Sequence, residues 1–345
     1  MHYPLYLPQK DKPHLEGKAI LAADIGGTKT SLGLFEVKGD RLILLREVTV
    51  PSGRDNTFDA IVARFLDGHP GIPSVLSIGV AGPVSDNQVK LTNLDWELDG
   101  LELQRSFGIG RVVLLNDLEA TAYGLAGLVP EDVATLFDHS GDVSGNMVIL
   151  APGTGLGEAG LFWDGDTYRP FATEGGHSDF APQTPLDLEL YTHLKDEIDV
   201  VSWEHVISGP GIYRIYRFLR DVKAYREPAW LTENFKNDGN PAAVISHAAM
   251  RELDVTCIKT MELFVHYMAR EAASLVLKHK ATGGLLLGGG IPPRIYPLLR
   301  TAQFRQHFVR NAHMVSLLEE VPVKVVLNSK AALIGAAYYG AYGRH

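Results

Sequence analysis

The chain has 345 residues, 46% hydrophobic and 21% charged, which are globular values and enough length for two domains that each bury a core. Its formal net charge of −9 would on average repel nucleic acid and anionic membranes, so neither is an expected partner. The single cysteine, Cys257, excludes a disulfide within the chain and a zinc site built on several thiolates.

The N-terminal segment lacks the basic-then-apolar order of a signal peptide, and no run approaches the roughly 18 apolar residues of a membrane span. We therefore expect a cytoplasmic protein. Residues 1–17 are polar and contain prolines, which predicts an irregular lead-in.

Strands and helices alternate through the first half of the chain. Apolar runs joined by Gly-bearing turns predict strands at 19–25, 30–37 and 41–48, and later runs predict strands at 74–80 and 111–115. A helix is predicted at about 56–67 and an Ala-rich helix at 118–128. The first of these has one apolar face, formed by Phe58, Ile61, Val62 and Phe65.

A similar order of elements begins again near Met147. Strands are predicted at 148–151, 158–163, 285–287 and 323–327, and helices at 185–197, 210–221, 250–279 and 330–342. Because strand, Gly loop and strand occur once in each half, we expect two α/β lobes. The expected small domain comprises 1–126 plus 327–345, and the large domain comprises 127–326.

The first chemical motif is the segment Ala23-Asp24-Ile25-Gly26-Gly27-Thr28-Lys29, which follows a predicted strand. Its glycines let the backbone N–H groups approach phosphate oxygens, and Thr28 and Lys29 add a hydroxyl and a cation. Asp24, at the strand end, is placed to hold a hydrated Mg²⁺. The alternative is an ordinary glycine hairpin.

A second Gly-Thr loop, Gly153-Thr154-Gly155, follows the strand at 148–151. If the two halves of the chain face each other, both loops converge on one triphosphate; otherwise this loop is a tight β-turn. Gly288 and Gly289 follow the strand at 285–287 and leave room for a base and ribose against bare backbone. Their alternative is a flexible strand-to-helix turn.

Asn116 and Asp117 follow a buried strand, at the position where α/β folds bind ligands. Asp117 could accept the proton of an attacking hydroxyl group, and Asn116 could hold a neighbouring hydroxyl. The alternative for both residues is a helix N-cap.

Glu174 and His177 flank two glycines, which would place acceptors and a donor for a polyol on one tight loop. The alternative is a surface turn with incidental polar residues. His177 has no Cys or His at ligand spacing, which argues against a zinc site there.

In this order the motifs resemble the bacterial glucokinase family, the cytoplasmic type of enterobacteria and cyanobacteria, within the superfamily of sugar kinases, Hsp70 and actin. The resemblance runs from about Ile20 to Tyr339. Its most specific parts are Leu115-Asn116-Asp117, Pro152–Gly157, Glu174–Pro182 and Glu204–Gly211. It implies a two-lobed actin-like/ribonuclease H-like ATPase fold with an inter-lobe cleft, and a homodimer.

The same resemblance implies a role for each motif residue. Asp117 would be the catalytic base, and it would contact the sugar together with Asn93, Asn116, Glu174, His177 and Glu204. ATP would be bound by Ala23, Asp24, Ile25, Gly26, Gly27, Thr28, Lys29, Gly153, Thr154, Gly155, Gly288 and Gly289. Asp24 would hold Mg²⁺ through water.

The implied reaction is transfer of the ATP γ-phosphoryl group to the 6-hydroxyl of glucose. Two readings stay open: a kinase for another hexose, such as mannose or N-acetylglucosamine, and a non-catalytic ATP-binding regulator on the same fold. The phosphoryl donor, ATP or polyphosphate, is also left open. The chain departs from the family in two places: enterobacterial members carry Asn at the position of Lys29, and the extension before Ile20 is longer than usual and has no assigned role.

Overall fold

The computed structural model describes residues 3–10, 15–54, 57–91, 94–139 and 144–344. These residues form two compact units. The first unit contains the described residues within 1–132, 161–172 and 328–345, and the second contains those within 133–160 and 173–327. The domain boundaries given above stay a prediction.

Strands and helices are mixed along both units, and the central strands of both large sheets are parallel, which confirms the α/β class. The strands are β1 (Ala19–Ile25), β2 (Lys29–Lys38), β3 (Arg41–Pro51), β4 (Val75–Val80), β5 (Gln88–Lys90), β6 (Glu97–Asp99), β7 (Arg111–Asn116), β8 (Val133–Phe137), β9 (Met147–Pro152), β10 (Leu156–Trp163), β11 (Tyr168–Thr173), β12 (Gly284–Leu287) and β13 (Val323–Val326). The helices are α1 (Phe58–Leu66), α2 (Gly100–Phe107), α3 (Asp117–Gly124), α4 (Pro185–Lys195), α5 (Gly209–Asp221), α6 (Ala229–Asp238), α7 (Pro241–Met250), α8 (Val255–His279), α9 (Tyr296–Leu299), α10 (Ala302–Phe308), α11 (Val315–Glu319) and α12 (Ala331–Tyr342).

The first unit contains a five-stranded sheet of order β3-β2-β1-β4-β7. β2 runs antiparallel to β1, whereas β4 is parallel to β1 and β7 is parallel to β4. Every residue of β4 is buried, as expected of a parallel strand that is covered on both faces. The carboxyl ends of β1, β4 and β7 lie along one edge, where Ile25 pairs with Val80 and Val80 with Asn116.

Helix α1 shows why the helices of this unit form where they do. The Thr57 hydroxyl accepts a hydrogen bond from the Ala60 N–H at 3.2 Å and caps the helix, which satisfies one of its free N-terminal donors. The face predicted from the sequence is confirmed, because its members are all buried: Phe58, Ile61, Val62 and Phe65.

The second sheet has the order β11-β10-β9-β12-β13-β8. β9, β12 and β13 are mutually parallel neighbours, and β8 closes the edge antiparallel to β13. Through five strands this order matches that of the first sheet, with β9 in the place of β1. Helix α8 packs in the large apolar core of this unit and has 25 residues. No helix in the described part of the chain has both the length and the hydropathy needed to cross a membrane.

One predicted helix was wrong in its bounds. The pattern at 250–279 predicts a single helix, but α7 ends at Met250 and α8 begins at Val255. Glu252 adopts a φ of 55°, in the left-handed region, which interrupts the helix. The Asp254 side chain then accepts from the Cys257 N–H at 2.9 Å and starts α8. Helices α6 and α7 were not predicted.

Candidate active site

The loop at Asp24–Lys29 joins β1 to β2 as a tight antiparallel turn. The Gly26 N–H donates to the Lys29 carbonyl at 2.9 Å, and Thr28 and Lys29 are exposed at its tip. Ser52 supports the loop from beneath, because its hydroxyl donates to the Gly26 carbonyl at 2.8 Å. Burial raises the pKa of the Asp24 carboxyl to about 6, and the charge of Lys29 opposes that rise.

Asn116 and Asp117 stand at the junction of β7 and α3. Asn116 is the N-cap: its side-chain oxygen accepts from the Leu118 N–H at 2.9 Å, and its Nδ2 donates to the Gly82 carbonyl at 3.2 Å. The capping alternative is therefore confirmed for Asn116. Asp117 is the first residue of α3 and is partly buried, where the helix dipole stabilises a negative charge.

The sheet brings these two motifs to the same edge of the first unit. Asp24 of β1 pairs with Gly79 of β4. Gly79 in turn pairs with Leu115 of β7, the residue before Asn116. Neighbouring strands lie about 4.8 Å apart, so the ends of β1 and β7 are separated by roughly 10 Å. A phosphate-type loop and a carboxylate thus share one sheet edge.

The second unit gathers the two glycine loops assigned to nucleotide. In the loop after β9, the Gly153 N–H donates to the Gly155 carbonyl at 2.8 Å. The segment with Gly288 and Gly289 follows β12 and lies beside the end of β9. The Gly288 N–H donates to the Leu150 carbonyl at 2.9 Å, and the Ile291 N–H donates to the Pro152 carbonyl at 3.1 Å.

Glu204 lies directly against the first of these loops. Its Oε2 accepts from the Leu156 N–H at 2.9 Å, and a Cβ added at Gly155 would come within 2.5 Å of the same oxygen. The neighbouring His205 stabilises the short turn that carries Glu204, because its Nδ1 accepts a hydrogen bond from the Ser202 N–H at 3.0 Å. Burial lowers the pKa of His205 and keeps the ring neutral, as this acceptor role requires.

Glu174 and His177 flank a short turn that follows β11. Both side chains are exposed, and the Glu174 Oε2 lies 3.9 Å from the His177 Nε2. The turn is tied to the Glu204 segment, because the Trp203 N–H donates to the Ser178 carbonyl at 3.0 Å. The second unit therefore brings Glu174, His177 and Glu204 together beside the Gly153–Gly155 loop.

Comparison with known proteins connects this arrangement to a family. The family model described as Glucokinase matches residues 21–342. The chain belongs to the glucokinase family. A curated glucokinase of Synechocystis sp. is 41% identical to it over 345 aligned positions, which cover 93% of this chain and 97% of the relative.

Solved structures agree with the glucokinase assignment. The crystal structure of glucokinase from an Antarctic psychrotroph matches with a TM-score of 0.79 at 30% identity, covering 94% of this chain and 98% of that one. A ROK family glucokinase from Streptomyces griseus, in complex with glucose and AMPPNP, matches with a TM-score of 0.62 at 22% identity over 93% of this chain and 99% of that one. The predicted actin-like ATPase fold is confirmed, as is the enzyme class of ATP-dependent hexose kinase.

Sequence reasoning missed a buried carboxyl beneath the Glu174–His177 turn of this glucokinase family member. Glu158, in β10, is 2% exposed, and a Cβ added at Gly175 would come within 2.0 Å of its Oε2. The Thr173 hydroxyl links the same parts, donating to the Glu158 carbonyl at 3.0 Å and accepting from the Gly175 N–H at 3.3 Å. A glutamate inside an apolar strand was the available signal.

The remaining predicted sugar contact, Asn93, lies outside the described residues. The ligand roles of the other site residues stay predictions, and so does the convergence of the two Gly-Thr loops. Within each unit, however, the residues assigned to one ligand lie together rather than scattered.

Proposed function

We propose that this member of the glucokinase family transfers the γ-phosphoryl group of ATP to the 6-hydroxyl of glucose, giving glucose 6-phosphate and ADP. One observation carries the proposal: the Asp24–Lys29 loop and the Asp117 carboxylate share one sheet edge. The names of the relatives support glucose as acceptor, and the structure with glucose and AMPPNP supports both substrates.

Asp117 is the catalytic base in this proposal. It accepts the proton of the 6-hydroxyl as that oxygen attacks the γ-phosphorus, and its place in the first turn of α3 puts it at the helix end that favours a negative charge. Asn116 fixes the start of the helix through its cap and so fixes the carboxylate. Phosphoryl transfer needs mainly such positioning and charge stabilisation.

The sugar is held by hydrogen bonds from the second unit. The carboxylates of Glu174 and Glu204 accept from sugar hydroxyls, and the ring of His177 donates or accepts according to its tautomer. Asn93 and Asn116 complete the proposed set. The proximity of Glu174, His177 and Glu204 to each other supports this part of the proposal.

ATP is bound through backbone N–H groups. The glycines of the Asp24–Lys29 loop, with Ala23 and Ile25 beside them, and of the Gly153–Gly155 loop contact its phosphates, and the Gly288–Gly289 turn accommodates adenosine. The cleft between the two lobes, its closure over the sugar, and the domain boundaries 1–126 plus 327–345 and 127–326 belong to this proposal. So do a homodimer and a cytoplasmic location, both supported by the resemblance alone.

The residues present fit Mg²⁺. Asp24 offers one partly buried carboxylate beside an exposed Thr28 hydroxyl, and the described residues contain no cluster of three or more metal-ligating side chains. Mg²⁺ keeps several waters and takes one or two carboxylates plus substrate phosphates, so a single aspartate is sufficient. When bound, the ion would neutralise phosphate charge, and Asp24 would orient it through water.

The test is purified protein with Mg-ATP and a panel of glucose, mannose and N-acetylglucosamine, scored for ADP production. We expect glucose to give the highest kcat/KM. A higher value for another hexose would favour the alternative acceptor, and nucleotide binding without sugar-stimulated ADP release would favour the regulator. A parallel assay with polyphosphate in place of ATP, scored for glucose 6-phosphate, shows which of the two is the phosphoryl donor.

A further inference from the structure

A second candidate binding site lies wholly within the first unit. It is a cavity of about 230 Å³ whose walls include Tyr6, Tyr123, Arg169, Tyr339 and Arg344. A water molecule takes up about 30 Å³ in the liquid, so the cavity has room for a ligand of several non-hydrogen atoms. The residues that line the cavity come from the N-terminal segment, from α3, from β11 and from the end of α12 with the residues after it.

The N-terminal segment forms a fixed wall of this cavity. The Tyr6 N–H donates to the Tyr168 carbonyl at 2.9 Å, and the Tyr168 N–H donates to the Pro4 carbonyl at 2.7 Å. Leu5 and Leu7 on either side of Tyr6 are buried. The lead-in predicted to be irregular therefore packs against β11 and presents the ring of Tyr6 to the cavity.

Two guanidinium groups converge on that ring. The Arg169 guanidinium carbon lies 3.8 Å from the Tyr6 ring centroid and that of Arg344 lies 5.3 Å from it. A hydrogen bond from Arg344, together with the charges of both arginines, lowers the pKa of the Tyr6 hydroxyl. The Asp164 Oδ2 forms an ion pair with the Arg169 Nε at 2.7 Å.

Tyr123 and Tyr339 also line the cavity. The rings of Tyr123 and Tyr339 lie with centroids 4.8 Å apart, and burial raises the pKa of both hydroxyls, which keeps them protonated as donors. The charge of Arg344 acts on both hydroxyls. Two acidic groups offset the arginines: Asp164 pairs with Arg169, and Glu119, whose pKa burial raises to about 7, is only partly ionised at neutral pH.

We propose that this cavity binds a small oxyanion, namely a phosphate group that is free or carried as a phosphate monoester. Guanidinium forks bind phosphate oxygens in pairs, and tyrosine hydroxyls add neutral donors. Tyr6 and Arg344 lie outside the 21–342 range of the family match, whereas Tyr123, Arg169 and Tyr339 lie inside it.

Isothermal titration calorimetry on the full chain tests the site, with inorganic phosphate and glycerol 3-phosphate as separate probes. We expect saturable binding of at least one probe with a Kd in the millimolar range or below. Arg344→Ala is expected to weaken binding at least tenfold and Arg344→Lys to weaken it less, since lysine keeps the charge but loses the fork. Both variants are expected to keep the kcat and KM of the wild type for glucose and ATP.

Arg300→Ala is the matched control, because the Arg300 guanidinium also stacks on a tyrosine, at 5.8 Å from the Tyr296 ring, but belongs to the second unit and does not line the cavity. It is expected to bind the probes as the wild type does. Equal affinity in Arg344→Ala and wild type would overturn the proposal, as would displacement of the probe by AMPPNP or no binding of either probe. These results need no turnover, so they are independent of the kinase proposal.

Discussion

Two buried carboxyl groups of the second unit give the sharpest prediction about stability. Glu158 is 2% exposed and Glu271 is fully buried. The Lys278 Nζ lies 3.4 Å from one oxygen of Glu271. The Oε1 of Glu158 and the Oε2 of Glu271 find no hydrogen-bond partner among the described residues. Buried acids in such surroundings favour the protonated form.

The size of the effect follows from the shifted pKa values. Burial, reinforced by the charge of Glu271, raises the pKa of Glu158 to about 8, and burial raises that of Glu271 to about 7. An unfolded glutamate titrates near 4.3, so between about pH 4.5 and 8 the native state binds more protons than the unfolded state. Stability is therefore full below that window and falls as pH rises through it. One pKa unit corresponds to about 1.4 kcal/mol, so the total loss is on the order of several kcal/mol.

The perturbation is Glu158→Gln, which keeps the shape of the side chain and removes its ionisation. The free energy of unfolding is measured by urea titration between pH 5 and 9. We expect the variant to have nearly the wild-type value at pH 5 and a higher value than the wild type at pH 8. Glu233→Gln on α6, an exposed position, is the control and should leave a difference that does not change with pH. A Glu158→Gln profile that runs parallel to the wild type across the whole range would refute the reasoning.

Two further substitutions test close contacts. Gly335→Ala would place a Cβ 1.7 Å from the Ala120 carbonyl oxygen, so we expect a loss of at least about 2 kcal/mol in urea unfolding, whereas Gly71→Ala, with open space around it, should stay within about 0.5 kcal/mol of the wild type. An unchanged midpoint for Gly335→Ala would contradict the packing of α12 on α3. Gly155→Ala would displace the carboxylate of Glu204, so we expect the KM for glucose to rise about tenfold in steady-state assays while the fold persists; an unchanged KM would argue against Glu204 as a sugar contact.

The order of strands and glycine loops could be predicted because the sequence of a buried parallel strand is a continuous run of apolar residues. β4 and β12 are buried at every position, and their apolar runs gave their places within a residue or two. The start of α8 could not be predicted from its pattern, because the interruption depends on the left-handed backbone of Glu252 rather than on hydrophobic spacing.

The candidate site was predictable only where a motif sits on a strand end. Asn116 illustrates the limit: the same residue type suits a cap and a ligand, and only the contact with Leu118 shows that it caps the helix. Glu158 and Tyr6 escaped prediction because their surroundings are built by chain segments distant in sequence. Tertiary contacts of this kind leave little trace in local composition.

The most direct test of the kinase account is the rate of glucose phosphorylation by Asp117→Ala, measured with saturating Mg-ATP and glucose beside the wild type. Circular dichroism and thermal unfolding check that the variant is folded. The account predicts that the folded variant loses ~10³-fold or more of kcat, the scale expected for a missing base in a preorganised site. A folded variant that phosphorylates glucose at nearly the wild-type rate would contradict it.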